Sequence, residues 1–171
     1  MRLSATAGAA LMQQQGLESV IHVYGRDRNQ MALQGDLLGA YVLGIRNLIV
    51  VLGEEISHCD HRKAKAVDDL DEMAILEMIR GLQQGLDLSG FELKGAPTFT
   101  TGCTLPACAD EKAFDAALEQ ARKKVAAGAE YVVTAPMFDL DHGVSCVNRA
   151  KGLVVPVIPT VLLLKSVVMA R

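Results

Sequence analysis

Short apolar runs alternate with segments of helical period along most of this sequence. The apolar runs are rich in β-branched residues and are too short for core helices, which indicates strands buried on both faces. Five runs meet this description: Ser19–Tyr24, Asn47–Leu52, Pro97–Cys103, Tyr131–Met137 and Val154–Val161. We therefore predict five short strands.

The segments between these runs place apolar residues three or four positions apart, which is the spacing of one helix face. The clearest examples are Ile75–Leu82 and Phe114–Val125, each preceded by acidic residues and followed by a glycine, Gly85 or Gly128. Acids at the start and glycine past the end favour a helix. Weaker patterns predict three more helices, over the first fifteen residues, Met31–Val42 and His142–Lys151.

This alternation predicts an α/β fold with a parallel sheet and right-handed crossovers. Two architectures remain open, an open doubly wound sheet and a (β/α)8 TIM barrel or a large fragment of one. The 171 residues favour the open sheet, since a full barrel takes about 250. A chain that starts on a helix and ends on a strand favours a barrel fragment. We expect a single domain over residues 1–171.

Composition excludes several classes of protein. The net charge of −3 and the lack of a Lys/Arg cluster argue against nucleic-acid binding. Four scattered cysteines without a CxxC pair suggest reduced thiols. The longest apolar stretch, Leu153–Leu164, contains two prolines and falls short of the roughly 20 residues that a membrane span needs. We expect a cytoplasmic protein without a membrane partner.

Ligands of parallel α/β sheets bind beyond the carboxyl ends of the strands. The segments that follow the first four predicted strands are His22–Asn29, Gly53–Glu55 with Ser57–Lys63, Thr100–Thr104, and Ala135–Asp139. A carboxylate at a strand end, such as Glu54, can accept two parallel hydrogen bonds from an amidine-like ligand edge. Arg26, Asp27 and Arg28 are expected to form an ion-pair cluster at the rim.

A metal site is the rival interpretation of these loops. They contain donors suited to zinc, namely His58, Cys59, His61, Cys103 and Cys108. Their spacing matches no standard zinc motif, so we expect no bound metal.

Ordered motifs run through the chain: Gly25–Asn29, Ala32–Gly39, Gly44–Asn47, Asp60-His61, Ala64-Lys65, Asp69–Asp71, Lys123–Val125, Ala127–Ala129, Thr134, Phe138-Asp139 and Ile158-Pro159. In this order and at these separations they resemble the methylenetetrahydrofolate reductase family over about residues 16–160.

The resemblance implies a (β/α)8 barrel that binds FAD at the strand ends and reduces methylenetetrahydrofolate with NAD(P)H. His22 corresponds to a histidine that lies against the flavin. Gly53 and Glu54 correspond to a Gly-Asp pair whose acid lies between flavin and folate. The resemblance therefore makes Glu54 the catalytic candidate and a contact of both cofactor and substrate.

Further site residues are implied in the same way. Lys124 corresponds to a basic residue that holds the cofactor's diphosphate, with Gln120 and Lys123 as neighbouring candidates. Ala135 stands on the substrate side, where the family has a glutamine that pairs with the pterin.

The resemblance also implies that the first barrel strands and the end of the barrel are absent. A homo-oligomer or a completing partner chain is therefore expected. The alternative function is a non-catalytic flavin- or pterin-binding subunit that needs such a partner.

Overall fold

A computed structural model describes residues 3–61, 63–108, 110–138, 140–162 and 165. Helices and strands alternate as the sequence predicts. In chain order they are α1 (Ala5–Gln14), β1 (Val20–Val23), α2 (Gln30–Val42), β2 (Asn47–Val50), α3 (Glu72–Gln83), β3 (Thr100–Leu105), α4 (Glu111–Ala127), β4 (Tyr131–Met137), α5 (Leu140–Ala150) and β5 (Val157–Val161). Two short 3-10 turns, Ile56–His58 and Lys151–Leu153, complete the described elements.

Side-chain caps fix the start of three of the helices. Asn29, Asp71 and Asp110 precede α2, α3 and α4, and each accepts a hydrogen bond from the backbone N–H three residues later at 2.7–2.8 Å. Each cap satisfies one of the N–H groups that a helix start leaves without a partner. The acidic residues before two of the predicted helices are thus capping residues.

The five strands form one parallel sheet in the order β1-β2-β3-β4-β5. A doubly wound sheet reverses its strand order at a switch point, whereas a barrel adds each new strand beside the previous one. The sequential order therefore decides between the two predicted architectures, in favour of a TIM-barrel fragment.

All five helices pack on one face of this sheet. The strand residues of the main core are register partners, as in the row Val23, Val50, Cys103 and Val132. Register partners in parallel strands point to the same side. The helices bury this side, and the opposite side is the one that faces the interior of a barrel.

The interior side carries its own small cluster. His22, Ile49, Gly102 and Tyr131 are register partners on this side. The Tyr131 ring lies against Gly102, and its hydroxyl donates to the Leu48 carbonyl at 2.7 Å. Burial raises the pKa of Tyr131 to about 12, so the phenol keeps the proton that it donates. This ring ties β4 to β2 across β3.

A bulge interrupts the pairing of β4 with β5. Val133 is paired with Ile158, and the next paired residues are Pro136 and Thr160. Between these two pairs β4 advances by three residues and β5 by only two, so β4 contains one extra residue. Proline has no N–H to give to a sheet, and a bulge is where a sheet tolerates it. The Thr134 hydroxyl accepts from the Thr160 N–H at 3.0 Å and so restores one missing contact.

Several predicted strand boundaries are wrong. β2 ends at Val50 instead of Leu52, and β5 begins at Val157 instead of Val154. The third strand was expected over Pro97–Cys103, with Thr100–Thr104 at its carboxyl end, but β3 spans Thr100–Leu105. The segment Thr100–Thr104 therefore lies within the strand. The pairing with β2 explains these bounds, because the first and last residues of β2, Asn47 and Val50, are aligned with Thr100 and Cys103.

Within the described ranges, none of the helices has both the length and the apolar character required to cross a bilayer.

We expect Gly102→Ala to destabilise the fold by about 1–3 kcal/mol, the usual cost of overpacking. A Cβ at this position would overlap the Tyr131 ring and push its hydroxyl away from Leu48. Denaturant unfolding followed by circular dichroism measures the change.

Gly39→Ala is the matched control, because a Cβ there, on α2, meets nothing within 4 Å. It should stabilise the helix by about 0.5–1 kcal/mol. Equal stability of the two variants would contradict the close approach of Tyr131.

Candidate functional site

The carboxyl ends of β1 and β2 border a cavity of about 700 Å³. We call it the β1 cavity. Three consecutive residues of β1, Ile21, His22 and Val23, line it, so it opens along the edge of this strand that no described strand pairs. Its other walls include Tyr24, Arg26–Arg28, Glu54, His58–His61, the start of α1 and part of α2.

The β1 cavity brings together two of the predicted site residues. His22 and Glu54 both line it, and both side chains are exposed. His22 lies on the barrel-interior face of β1, and Glu54 lies in the loop that follows β2. The sheet topology explains the meeting, since neighbouring parallel strands present their carboxyl ends at the same edge.

Gly53 shapes the loop that carries Glu54. Its φ of +76° lies in the left-handed region, which disfavours any residue with a side chain. A Cβ there would meet Tyr24 and Arg26 only at 3.6 Å, so backbone conformation, not lack of space, requires the glycine.

Arg26 joins the loops that follow β1 and β2. Its guanidinium donates two hydrogen bonds to the Asp27 carboxylate, at 2.6 and 2.8 Å. It also donates to the backbone carbonyl of Glu54 at 2.6 Å and to the Cys59 sulfur at 3.2 Å. The Arg26 side chain is 17% exposed and that of Asp27 is 41% exposed, so their contact is partly open to water. We call these residues the Arg26 cluster.

Charge pairing in the Arg26 cluster has a direct electrostatic effect. The hydrogen bonds from Arg26 hold the pKa of Asp27 below its usual value, and the same contact raises the pKa of Arg26. Both groups therefore stay ionised at neutral pH. The neighbouring Arg28 pairs instead with Asp36 at 3.2 Å, and about half of each side chain is exposed. Arg26 and Asp27 thus form the expected ion pair, whereas Arg28 pairs with Asp36 and not within the predicted cluster.

A second depression, of about 440 Å³, lies at the carboxyl end of β3 between α3 and α4. We call it the Lys124 hollow. Its walls are Leu52, Asp71, Glu72, Met73, Thr104, Pro106, Ala116, Ala117, Gln120 and Lys124. It therefore includes two of the three residues predicted for the cofactor's diphosphate, Gln120 and Lys124.

Lys124 is already paired in this hollow. Its Nζ lies 2.6 Å from Glu72 Oε1, and the two side chains are only 11% and 16% exposed. Glu72 is the first residue of α3, where a carboxylate also interacts favourably with the helix dipole. Lys123 is exposed and does not line the hollow. The two lysines therefore have different surroundings although they are adjacent in sequence.

Ala135 lies within β4, inside the segment where the bulge shifts the pairing with β5. Its carbonyl accepts a hydrogen bond from the Thr134 hydroxyl at 2.9 Å. It lines neither the β1 cavity nor the Lys124 hollow.

Three of the predicted metal donors, His58, Cys59 and His61, line the β1 cavity, and the other two do not. Cys103 points into the main core and is fully buried, and this burial raises its pKa to about 11. Cys59, in contrast, lines the β1 cavity. In the described part of the chain, no group of three or more His, Cys, Asp and Glu side chains is arranged to hold a metal ion.

Two contacts of the site could not be inferred from sequence. Glu72 lies 52 positions from Lys124, and no local pattern connects them. The Glu54 carbonyl that Arg26 binds is a backbone atom 28 positions away, which side-chain motifs do not reveal. Both contacts are consequences of strand order.

Comparison with protein families finds a match. A family model described as methylenetetrahydrofolate reductase matches residues 1–171. A comparison with curated proteins gives no significant match.

We expect Arg26→Ala to destabilise the fold by about 1–3 kcal/mol, because Asp27 and the Glu54 carbonyl lose a shielded donor. Arg28→Ala is the control, since it removes the same charge from an exposed pair and should cost about 0.5 kcal/mol or less. Denaturant unfolding at neutral pH measures both.

Acid should abolish part of this difference. The folded pKa of Asp27 is lowered from 3.8, so the pair stabilises the fold above that value and is lost as pH falls through the lowered pKa. The gap between the parent and Arg26→Ala should therefore narrow below about pH 4. A gap of constant size down to strong acid would contradict the ion pair.

Proposed function

The chain belongs to the methylenetetrahydrofolate reductase family, and we propose that it reduces methylenetetrahydrofolate to methyltetrahydrofolate with FAD and NAD(P)H. Membership makes it an oxidoreductase-family protein whose substrate class is folate. The finer assignment, including the cofactors, action in the cytoplasm and the role of each residue, is our proposal.

One observation carries the proposal. His22 and Glu54, two residues singled out by family resemblance, line the same cavity at the carboxyl ends of neighbouring strands. This is the edge at which parallel barrels place their active sites. The cavity volume of about 700 Å³ falls within the usual range for small-molecule sites.

The residues of the β1 cavity fit a flavin ring system. An exposed imidazole, the phenol of Tyr24 and the carboxylate of Glu54 offer donors and acceptors to a flat polar edge. When bound, FAD would accept a hydride from NAD(P)H and deliver it to the methylene group of the folate. In this proposal His22 packs on the flavin and the Glu54 carboxylate hydrogen-bonds between flavin and pterin.

A hydrogen bond and a glycine fix the backbone around Glu54. Arg26 binds the Glu54 carbonyl, and Gly53 provides the left-handed bend just before it. The carboxylate itself remains exposed and can take up a ligand. A rigid loop with a free acidic end is a suitable support for a group that must meet two ligands.

The residues that we propose for the diphosphate of FAD fit that group less completely than those of the β1 cavity fit the flavin. Gln120, Lys123 and Lys124 remain our candidates for it, but Lys124 is paired with Glu72. Ala135, proposed on the substrate side, has only a methyl group and would hold the pterin without an amide hydrogen bond.

A non-catalytic flavin- or pterin-binding subunit is the second candidate function. The observation that favours it is that β1 and β5 each have one edge that no described strand pairs. Hydride chemistry requires that water be excluded, and an open sheet side does not do so. Further strands, from a completing partner chain or a second copy, would cover these edges.

We expect the protein to bind flavin non-covalently through the β1 cavity. Titration with FAD, followed by flavin fluorescence and by thermal shift, should show saturable binding that His22→Ala weakens about tenfold, or about 1.4 kcal/mol. Glu18→Ala is the control, since this exposed side chain lies outside the cavity. Colourless protein with no response to FAD or riboflavin would contradict flavin binding.

We expect Glu54→Gln to depress the folate half-reaction more than the reduction of flavin by NAD(P)H. The amide keeps the shape of the side chain but loses the charge that would face the pterin. Stopped-flow measurement separates the two half-reactions, in protein whose sheet edges are covered by further strands from a partner chain or a second copy. Glu55→Gln is the neighbouring control. Equal effects on both half-reactions would assign Glu54 to flavin binding alone.

If the second candidate function is correct, the chain on its own should show no turnover, because β1 and β5 each leave one edge of the described sheet unpaired. Robust turnover by this chain alone would contradict the second candidate function. It would direct attention to Glu55 as the acid, because Arg26 keeps Asp27 ionised.

A further inference from the structure

The Lys124 ammonium, the one cation among the residues that line the Lys124 hollow, is paired with the Glu72 carboxylate. The N–O distance of this pair is 2.6 Å, close to the 2.7–2.9 Å typical of an ammonium with a charged oxygen acceptor. A phosphate oxygen bound to Lys124 would lie at a similar distance from Nζ. The Glu72 carboxylate therefore already provides the charge and the contact that such an oxygen would supply.

The charges of the Lys124 hollow oppose an incoming anion. Its walls carry two carboxylates, Asp71 and Glu72, and one ammonium, Lys124, which gives a formal charge of 1 − 2 = −1. Asp71 is committed as the cap of α3 through its bond to the Ala74 N–H. Because the Lys124–Glu72 pair is largely buried, water and salt screen its two charges only weakly, whereas Asp71 is exposed. A diphosphate would meet a net negative wall unless Glu72 leaves Lys124.

The space beside the pair is nevertheless of ligand size. The hollow measures about 440 Å³, within the range of small-molecule sites. Gln120 lies one helical turn before Lys124, so its exposed amide is on the same side of α4. The hollow thus offers a cation, an amide and room for a ligand, and Glu72 is the group that neutralises the cation.

We propose that Glu72 determines the specificity of the Lys124 hollow by competing with anionic ligands for the Lys124 ammonium. A phosphorylated ligand binds there only by displacing the carboxylate, so its affinity is set by the strength of the pair. The choice of FAD as one probe rests on the proposed function. The competition itself concerns any phosphate group, and inorganic pyrophosphate tests it without flavin.

The experiment compares Glu72→Gln with the parent and with Glu111→Gln. Glu111 is the matched control because it is also the first residue of a helix, α4, and its side chain is exposed outside the hollow. Pyrophosphate is titrated at constant ionic strength while the melting temperature and the heat of binding are measured. Glu72→Gln should bind pyrophosphate about tenfold more tightly than the parent, or about 1.4 kcal/mol. Glu111→Gln should match the parent.

A second readout uses the ratio of affinities for FAD and riboflavin, since only FAD carries the diphosphate. Glu72→Gln should raise this ratio, and Lys124→Met should lower it. A pair with a purely structural role would lower the melting temperature in both variants and leave the ratio unchanged. That result, together with unchanged pyrophosphate binding, would overturn the proposal.

The test remains decisive if Glu72→Gln does not fold, because a second variant is measured. Glu72→Asp keeps the charge but shortens the side chain, so it weakens the pair without leaving Lys124 alone, and a smaller gain in pyrophosphate affinity is expected. If Glu72→Gln does not fold, the absence of this gain in Glu72→Asp overturns the proposal. If neither flavin binds any variant, the proposed function fails, whereas the pyrophosphate titration still decides the role of Glu72.

Discussion

The arrangement of this protein depends on the handedness of its crossovers. Each strand returns through a helix on the same side of the sheet, so each new parallel strand is added beside the last. All the strands then present their carboxyl ends at one edge, and one side of the sheet is left without helices. The β1 cavity, the Lys124 hollow and the Tyr131 contact all follow from this constraint.

The two depressions at that edge are controlled in opposite ways. In the β1 cavity, Arg26 holds the backbone of Glu54 and leaves its carboxylate exposed. In the Lys124 hollow, Glu72 holds the functional group itself. A backbone contact prepares a side chain for a ligand, whereas a side-chain contact must be broken before the ligand binds. In our proposals, a ligand of the β1 cavity would therefore break no side-chain contact, whereas a ligand of the Lys124 hollow would have to displace Glu72.

The irregular positions of the sheet, a bulge and a glycine within a strand, lie where distant side chains make specific contacts. The bulge in β4 accommodates Pro136 and places Ala135 in the shifted segment. Gly102 lacks a side chain where Tyr131 crosses the sheet. Each feature departs from an ideal strand, and each coincides with a specific long-range contact. This is typical of folds in which local preference gives way to packing.

The sequence by itself determined the elements of this protein. Apolar periodicity, capping acids and terminal glycines are local signals, and they predicted all five strands and all five helices, with errors of up to three residues in the strand boundaries. Ordered motifs also identified the family. What the sequence left undecided was how the elements are arranged and what their side chains touch. Strand order brings together residues that are distant in sequence. The bond from Arg26 to the Glu54 carbonyl joins residues 28 positions apart, and the pair of Lys124 with Glu72 joins residues 52 positions apart. Such contacts have no local signal, because they form only when the crossovers bring distant strand ends to one edge.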